Sequence, residues 1–132
     1  MLPFSLNLRP GEPVADQVVY AVTRAVVSGQ LRPGERFPSV RALSQELKVN
    51  PNTAQRIVAL LTEAGLLAVE PGIGTVVTGA AVRGTGPKKA EIAALGDRFA
   101  EPLVVEARRV GLGLTDLLDL VRERWKRLHE SK

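Results

Sequence analysis

Apolar residues near the start of the chain recur at the spacing of an α-helix. Val14, Val18, Val22 and Val26 follow one another at intervals of four, which places them on one helical face. Gly29 comes next, and glycine commonly ends a helix. We therefore predict a first helix over residues 14–28. Residues 31–38 contain two prolines and a glycine, which predict a turn and an extended stretch.

Two further helices are predicted with a short turn between them. Ser39 is suited to cap a helix of about two turns that ends near Leu47. Asn50 is suited to cap the next helix, and Pro51 stands at the first helical position, where proline loses no hydrogen bond. The apolar stripe of this third helix consists of Ala54, Ile57, Val58, Leu61 and Ala64. Its opposite side carries polar residues and therefore faces outward.

A β-hairpin is predicted after the third helix. Gly65 is followed by a mainly apolar run over residues 66–70 and a second run over residues 75–78. Residues 71–74 between them read PGIG, and glycines supply the positive φ angles that a tight turn requires. Three helices followed by a hairpin are the elements of a winged helix-turn-helix, in which the hairpin is the wing.

The last third of the chain predicts a separate helical region. Three glycines and a proline between residues 79 and 87 predict a linker, placed at 80–87. A helix from about Ile92 to Val110 is interrupted by Pro102, which should kink it near Arg98. Thr115 is suited to cap a final helix, with Leu114 as a hydrophobic staple. The apolar stripe of that helix consists of Leu117, Leu118, Val121, Trp125 and Leu128.

The predicted fold is mainly α-helical with one small β-hairpin. Residues 1–79 form a winged helix-turn-helix, residues 80–87 a linker, and residues 88–132 a two-helix dimerisation region. A chain of 132 residues leaves no room for a large catalytic domain.

Composition predicts a soluble cytoplasmic protein with no membrane segment. No run of 18 or more apolar residues occurs, and the start of the chain does not resemble a secretory signal. The chain has no cysteine and no cluster of metal-ligating residues, so we expect no metal and no cofactor.

The charge permits a polyanionic partner without requiring one. The net charge is +4, but residues 1–79 carry seven Lys/Arg against six Asp/Glu, a net of +1. Residues 80–132 carry eleven against eight, a net of +3. Because one DNA-binding half can neutralise few phosphates, we expect two copies to be needed for tight binding.

Small polar residues at the start of the third helix suit a DNA major groove. Asn52 and Gln55 can bond adenine through two contacts, Arg56 can do the same with guanine, and Thr53 lies in the same turn. The same residues also suit the solvated face of an ordinary amphipathic helix. The elements around them decide between these alternatives.

Those elements resemble the GntR family of bacterial repressors. The resemblance rests on residues 31–44 (LRPGERFPSVRALS), 49–53 (VNPNT), 65–67 (GLL) and 72–77 (GIGTVV). Phe37 and Ser44 stand where the family usually has leucine and alanine, and neither change should threaten the fold. The resemblance implies that the third-helix residues and Arg41 contact an operator, that Ser39 caps and touches phosphate, and that Gly72 lets the wing approach the minor groove. The predicted DNA-binding set is Ser39, Arg41, Asn50, Asn52, Thr53, Gln55, Arg56, Gly72, Gly74 and Thr75. For the glycines the alternative is a tight turn alone, which needs them with or without DNA.

The length of the tail resembles the YtrA group of that family, whose short C-terminal region serves dimerisation. Residues 106–115 (EARRVGLGLT) followed by leucines carry this second resemblance. It implies a homodimer held by the apolar stripe of the final helix. The alternative is that the tail folds back and covers the stripe within one chain.

Other functions are less well supported by the residues. The single histidine, His129, lies near the end of the chain, and no catalytic triad or phosphate-binding loop is present, which argues against an enzyme. A winged helix that binds protein without reading DNA is the alternative, but such a surface should show exposed aromatic residues. The sequence leaves open whether a small-molecule effector binds between the tail helices.

Overall fold

The computed structural model describes residues 2–78 and 88–130, with side chains described as far as Leu128. The chain divides into two compact units, one holding residues 2–78 and the other residues 88–130. The linker predicted at 80–87 lies outside the described residues, so the domain boundaries stay a prediction.

The first unit has the predicted order of helices and hairpin. It contains α1 (Val14–Ser28), α2 (Val40–Leu47), α3 (Pro51–Glu63), β1 (Leu67–Glu70) and β2 (Gly74–Val77). Gly29 ends α1 with φ of 86°. Ser39 and Asn50 cap α2 and α3 with their side chains, as predicted. The predicted fold class, mainly α-helical with a small hairpin, is confirmed.

The core of this unit lies among its three helices and the base of the hairpin. Its fully buried side chains come from every element and from the connection after α1: Val18, Val22, Leu31, Leu43, Ile57, Leu61, Leu67 and Val77. In α3 the buried part of the predicted stripe is Ala54, Ile57 and Leu61, whereas Val58 is half-buried and Ala64 is exposed just beyond the end of the helix. Burial of each large side chain contributes about 1.5 to 3 kcal/mol, so this core fixes the rotational setting of α2 and α3.

The hairpin is held on both edges of its second strand. β1 and β2 are antiparallel, with a register running from Leu67 opposite Val77 to Glu70 opposite Gly74. On the other edge of β2, the Phe37 amide donates to the Thr75 carbonyl at 2.9 Å. The Glu35 backbone carbonyl accepts from the Val77 amide at 2.8 Å. The predicted extended stretch before α2 therefore pairs with the wing.

The N-terminal segment packs onto the core, which the sequence patterns do not indicate. The buried ring of Phe4 stacks on Phe37, with ring centroids 5.9 Å apart and planes 2° from parallel. The buried Gln17 accepts from the Arg9 amide at 2.7 Å and donates to the carbonyls of Arg9 and Glu12 at 3.1 Å. Phe37, a departure from the family pattern, is thus accommodated by an aromatic partner.

The second unit consists of a long interrupted helix and a final helix. Its elements are α4 (Lys89–Leu95), a π-helical turn (Gly96–Ala100), α5 (Glu101–Arg109) and α6 (Leu114–Glu130). The π-helical turn includes Arg98, where an interruption was predicted. Pro102 has no N–H to donate to the Arg98 carbonyl, and the preceding Glu101 amide donates to Gly96, five residues back.

The predicted cap of the final helix is wrong. Thr115 lies inside α6, which begins at Leu114. Asp116 instead accepts from the Gly113 amide at 3.2 Å, so a first-turn carboxylate reaches back to the helix start. The chain ahead of α6 turns at Gly111, whose φ is 87°.

Candidate DNA-binding interface and tail surface

The buried stripe of α3 determines which side chains it presents. Ala54, Ile57 and Leu61 have no exposed surface, and at 100° per residue the opposite side falls on residues 52, 55, 56 and 59. Asn52, Gln55 and Arg56 are exposed there, and we call them the polar face of α3. Thr53 is half-buried at the flank, where it borders a groove toward the start of α1. Three of the four predicted base-contacting residues therefore lie together.

The backbone amides at the start of α3 are already bonded. Asn50 Oδ1 accepts from the Asn52 amide at 2.8 Å. The Asn50 carbonyl accepts from the amides of Thr53 and Ala54 at 2.9 and 3.2 Å. With Pro51 lacking an N–H, this end of α3 offers side chains to DNA rather than free amides. The Asn50 side chain therefore acts first as a helix cap, and its Nδ2 group remains able to donate to DNA.

The start of α2 differs from that of α3, because two of its backbone amides have no hydrogen-bond acceptor among the described residues. Ser39 Oγ accepts from the Ala42 amide at 3.1 Å. Among residues 2–78 and 88–130, no acceptor bonds the amides of Val40 or Arg41. The exposed Arg41 side chain forms no ion pair with a carboxylate of these residues. Open amides at a helix N-terminus, with an arginine on the same first turn, are features that suit an anion such as a phosphate.

The turn between α2 and α3 is tight and specific. Lys48 adopts a left-handed conformation with φ of 56°, which is unusual for a residue with a side chain. The Val49 amide donates to the Ser44 carbonyl at 3.0 Å, and Val49 packs partly against the core. Ser44, the second departure from the family pattern, is buried, and its hydroxyl donates to the Arg41 carbonyl at 2.9 Å. This turn lets α2 and α3 pack directly against each other, as in a helix-turn-helix.

The wing, residues 67–77, has its glycines for conformational reasons. Gly72 and Gly74 have φ of 80° and 111°, and a Cβ on either would meet no atom within 4 Å. The turn therefore requires these glycines whether or not DNA is near. Thr75 is half-buried and its carbonyl is bonded to Phe37, so its backbone oxygen belongs to the sheet.

The tail leaves most of its apolar side chains exposed. Among residues 88–128, whose side chains the structure describes, only Ala107 and Leu117 are buried. Leu117, predicted for the dimer stripe, is 9% exposed and lines a cleft with Ala107 and Leu112 of its own chain. It is thus covered mainly from within the tail, which the helical pattern of α6 alone does not reveal.

The remaining stripe of α6 faces outward. Leu118 and Val121 are exposed, Trp125 is 74% exposed, and Leu128 is half-buried. Leu114 lies on the same side of the helix and is 72% exposed, so it does not form the buried staple that the sequence pattern predicts. The exposed set differs from the predicted stripe, because Leu117 is buried and Leu128 is half-buried. We call the exposed residues Leu114, Leu118, Val121 and Trp125 the apolar stripe of α6.

Comparison with known proteins identifies the family to which this fold belongs. The model of the family of bacterial regulatory proteins called gntR matches residues 14–77. The uncharacterized HTH-type transcriptional regulator YhcF of Bacillus subtilis is 31% identical over 114 residues, covering 83% of this chain and 84% of that protein. The chain belongs to the GntR family. The enzyme alternative is thereby excluded, because the family consists of regulators.

The likeness to other GntR regulators includes the tail. The HTH-type transcriptional repressor YtrA of Bacillus subtilis is 24% identical over 118 residues, covering 89% of this chain and 88% of that protein. The crystal structure of a transcriptional antiterminator from Listeria monocytogenes EGD-e superposes with a TM-score of 0.79 at 21% identity, covering 98% of this chain and 94% of that one. The predicted likeness to the YtrA group is confirmed.

This GntR chain is a DNA-binding transcriptional regulator. That assignment counts against the interaction-module alternative. Within the described parts of the chain, no helix is long and apolar enough to cross a membrane. The same parts hold no group of three or more side chains that could ligate a metal.

Proposed function

We propose that this GntR regulator is a cytoplasmic repressor that binds a palindromic DNA operator as a homodimer. The observation that carries the proposal is the exposed polar face of α3 in the same compact unit as the open start of α2. In this proposal the polar face of α3 contacts base edges, and the start of α2 contacts a phosphate.

The polar face of α3 supplies the base contacts in this proposal. Asn52 and Gln55 can each bond adenine in two places, and Arg56 can bond guanine in the same way. All three lie within the first two turns of a helix whose width fits a major groove of about 12 Å. The buried stripe of α3 holds these side chains in a fixed setting, which favours sequence-specific readout.

The start of α2 supplies the phosphate contact. Ser39 Oγ accepts from Ala42 and keeps its own proton to donate. The amides of Val40 and Arg41 and the Arg41 guanidinium add donors on the same first turn of α2. Such contacts position the protein on the duplex and make binding depend on salt.

Two copies are needed in this proposal because one copy carries little charge. The apolar stripe of α6 offers a surface for pairing, and each large side chain that it buries would contribute roughly 1.5 to 3 kcal/mol. A two-fold dimer of this kind reads a palindrome with half-sites about one helical turn apart. The name of the related YtrA supports a repressor role for this chain.

The test uses the full-length chain and a random duplex library. We expect repeated selection to enrich a two-fold symmetric site, and sedimentation at micromolar concentration to give a dimer with and without DNA. Placing the selected site over a promoter should lower expression of a reporter when the regulator is present. Failure to enrich any sequence over random duplex at moderate salt would overturn the proposed operator. A chain that sediments as a monomer would overturn the dimer and favour a tail that covers its stripe in cis.

A further inference from the structure

A groove runs between the start of α1 and the first two turns of α3. It has a volume of about 670 Å³, and its lining includes Asp16, Asn50, Thr53 and Arg56. Arg56 belongs to the polar face of α3, and Asp16 lies in the first turn of α1. The groove therefore joins the candidate base-contacting residues to a helix that carries none of them.

Asp16 places a negative charge in this groove. The side chain is exposed, and its carboxylate forms no hydrogen bond or ion pair with any part of the chain that the structure describes. A carboxylate beside a helix that reads DNA repels phosphates, and residues 1–79 have a net charge of only +1. Asp16 therefore lowers the general affinity for DNA, so a role in binding must lie in selectivity.

Arg56 is the side chain on which such selectivity can act. It is exposed and long, so its guanidinium can take several orientations and loses that freedom when it binds a base. A bond to guanine uses two of its five N–H donors, which leaves three for a carboxylate. A carboxylate that accepts from these donors holds the planar group toward the base. Among the described residues that line the groove, Asp16 supplies the one carboxylate.

We propose that Asp16 is a positioning residue that pairs with Arg56 in the DNA complex and directs its guanidinium to a guanine in each half-site. This inference rests on the proposed function, because it assumes that Arg56 contacts a base edge. A negative charge without this pairing would weaken binding to every sequence alike, whereas the pair acts on one base pair of each half-site. Loss of the carboxylate should therefore weaken readout of that guanine and strengthen binding to random duplex.

The test begins by locating the guanine on the selected operator. It is the base pair at which Arg56→Ala no longer distinguishes G·C from A·T. Asp16→Asn, which removes the charge and keeps the size of the side chain, is then compared with the parent on operators that carry G·C or A·T there. We expect it to lower the preference for G·C about 2- to 5-fold per half-site, the usual effect of an exposed ion pair, and roughly 4- to 25-fold when both half-sites are changed. Its affinity for random duplex should rise, because a charge that repels phosphates is gone.

A double-mutant cycle tests whether Asp16 acts through Arg56. In the Arg56→Ala background, Asp16→Asn should have no further effect on the preference at that base pair. Glu63→Gln is the matched control, because it removes one exposed carboxylate of the same unit at the end of α3, outside the lining of the groove. It should leave the preference for G·C unchanged. A carboxylate that only favours the dipole of α1 would lower the melting temperature on Asp16→Asn and leave the base preference intact.

The outcomes separate this inference from the proposed function. If Asp16→Asn keeps the full preference for G·C while Arg56→Ala loses it, the inference fails alone. It also fails alone if Asp16→Asn still changes the preference at that base pair in the Arg56→Ala background. If Arg56→Ala changes no base preference, the assignment of Arg56 fails and the inference fails with it. If the parent chain binds no selected duplex above random, the proposed operator fails as well.

Discussion

Arg41 and Gln55 are exposed side chains on adjoining helices, and their removal should damage DNA binding in different ways. Neither contributes its side chain to the core, so Arg41→Ala and Gln55→Ala should leave the free energy of unfolding within about 0.5 kcal/mol of the parent. Arg41 lies at the open start of α2 and is assigned to a phosphate. Gln55 lies on the polar face of α3 and is assigned to a base edge.

The expected magnitudes follow from these assignments. Each phosphate contact adds about 0.9 to the slope of log affinity against log salt, so Arg41→Ala should lower the slope of a dimer by about 2. It should weaken binding to operator and random duplex alike. Gln55→Ala should keep the slope and lower discrimination against the wrong base by roughly 1 to 3 kcal/mol per half-site, which is about 5- to 150-fold.

Fluorescence anisotropy titrations of a labelled operator and a random duplex, repeated at several salt concentrations, measure both quantities. Arg24→Ala is the matched control, because it removes one exposed arginine of the same unit from α1, outside α2, α3 and the wing. It should change the slope by much less than Arg41→Ala. A reversed result, in which Gln55→Ala lowers the salt dependence of affinity and Arg41→Ala alters base preference, would refute the assignment of Arg41 to a phosphate and Gln55 to a base. Unchanged affinity in both variants would place the interface elsewhere.

Three further changes test the tail, the N-terminal segment and the helix-helix turn. Trp125→Ser should raise the dimer dissociation constant at least 10-fold in sedimentation experiments. Lys126→Ser, about 100° round α6 from Trp125 and outside the stripe, should not, and equal effects of the two changes would contradict pairing through the stripe. Gln17→Ala should lower the free energy of unfolding in urea by roughly 1 to 3 kcal/mol, because three hydrogen bonds between its side chain and the backbone are lost. Gln30 is exposed, so the control Gln30→Ala should have little effect. Lys48→Gly should raise the free energy of unfolding by roughly 0.5 to 1 kcal/mol, because glycine adopts the left-handed conformation of this residue without strain. A decrease would show that the Lys48 side chain stabilises the fold by more than the backbone strain costs.

Local chemistry explains why the first unit could be predicted closely from sequence. The start of α2 is set by a side-chain cap at Ser39, the start of α3 by Asn50 and Pro51, and the end of α1 by Gly29. Each signal acts within four residues, so it can be read without knowing the fold. The polar face of α3 could be predicted for the same reason, because helical periodicity alone separates it from the buried stripe.

Features that depend on distant parts of the chain could not be predicted in this way. The stacking of Phe4 on Phe37 joins residues 33 positions apart, and the pairing of residues 34–37 with β2 spans about 40. Helical periodicity placed Leu117 in the stripe of α6 but carries no information on which edge of that stripe the same chain covers. Thr115 was a reasonable cap on residue type, yet Asp116 can bond the Gly113 amide from inside the helix, and this choice depends on the turn at Gly111.

The charge of the first unit makes the tail part of the proposed DNA-binding mechanism. With seven basic and six acidic residues in positions 1–79, one copy has few cations to place on phosphates. The first turn of α3 adds no open amide, because Asn50 already accepts from its donors. Pairing through the apolar stripe of α6 would turn binding of the second half-site into an intramolecular step with a high effective concentration. Affinity for an operator would then depend on the spacing between half-sites, since two winged helices joined through one dimer can reach both half-sites only over a limited range of spacings. A five-base-pair insertion at the centre of the selected site should therefore reduce affinity to that of a single half-site, and undiminished binding to the lengthened site would show that the two copies act independently.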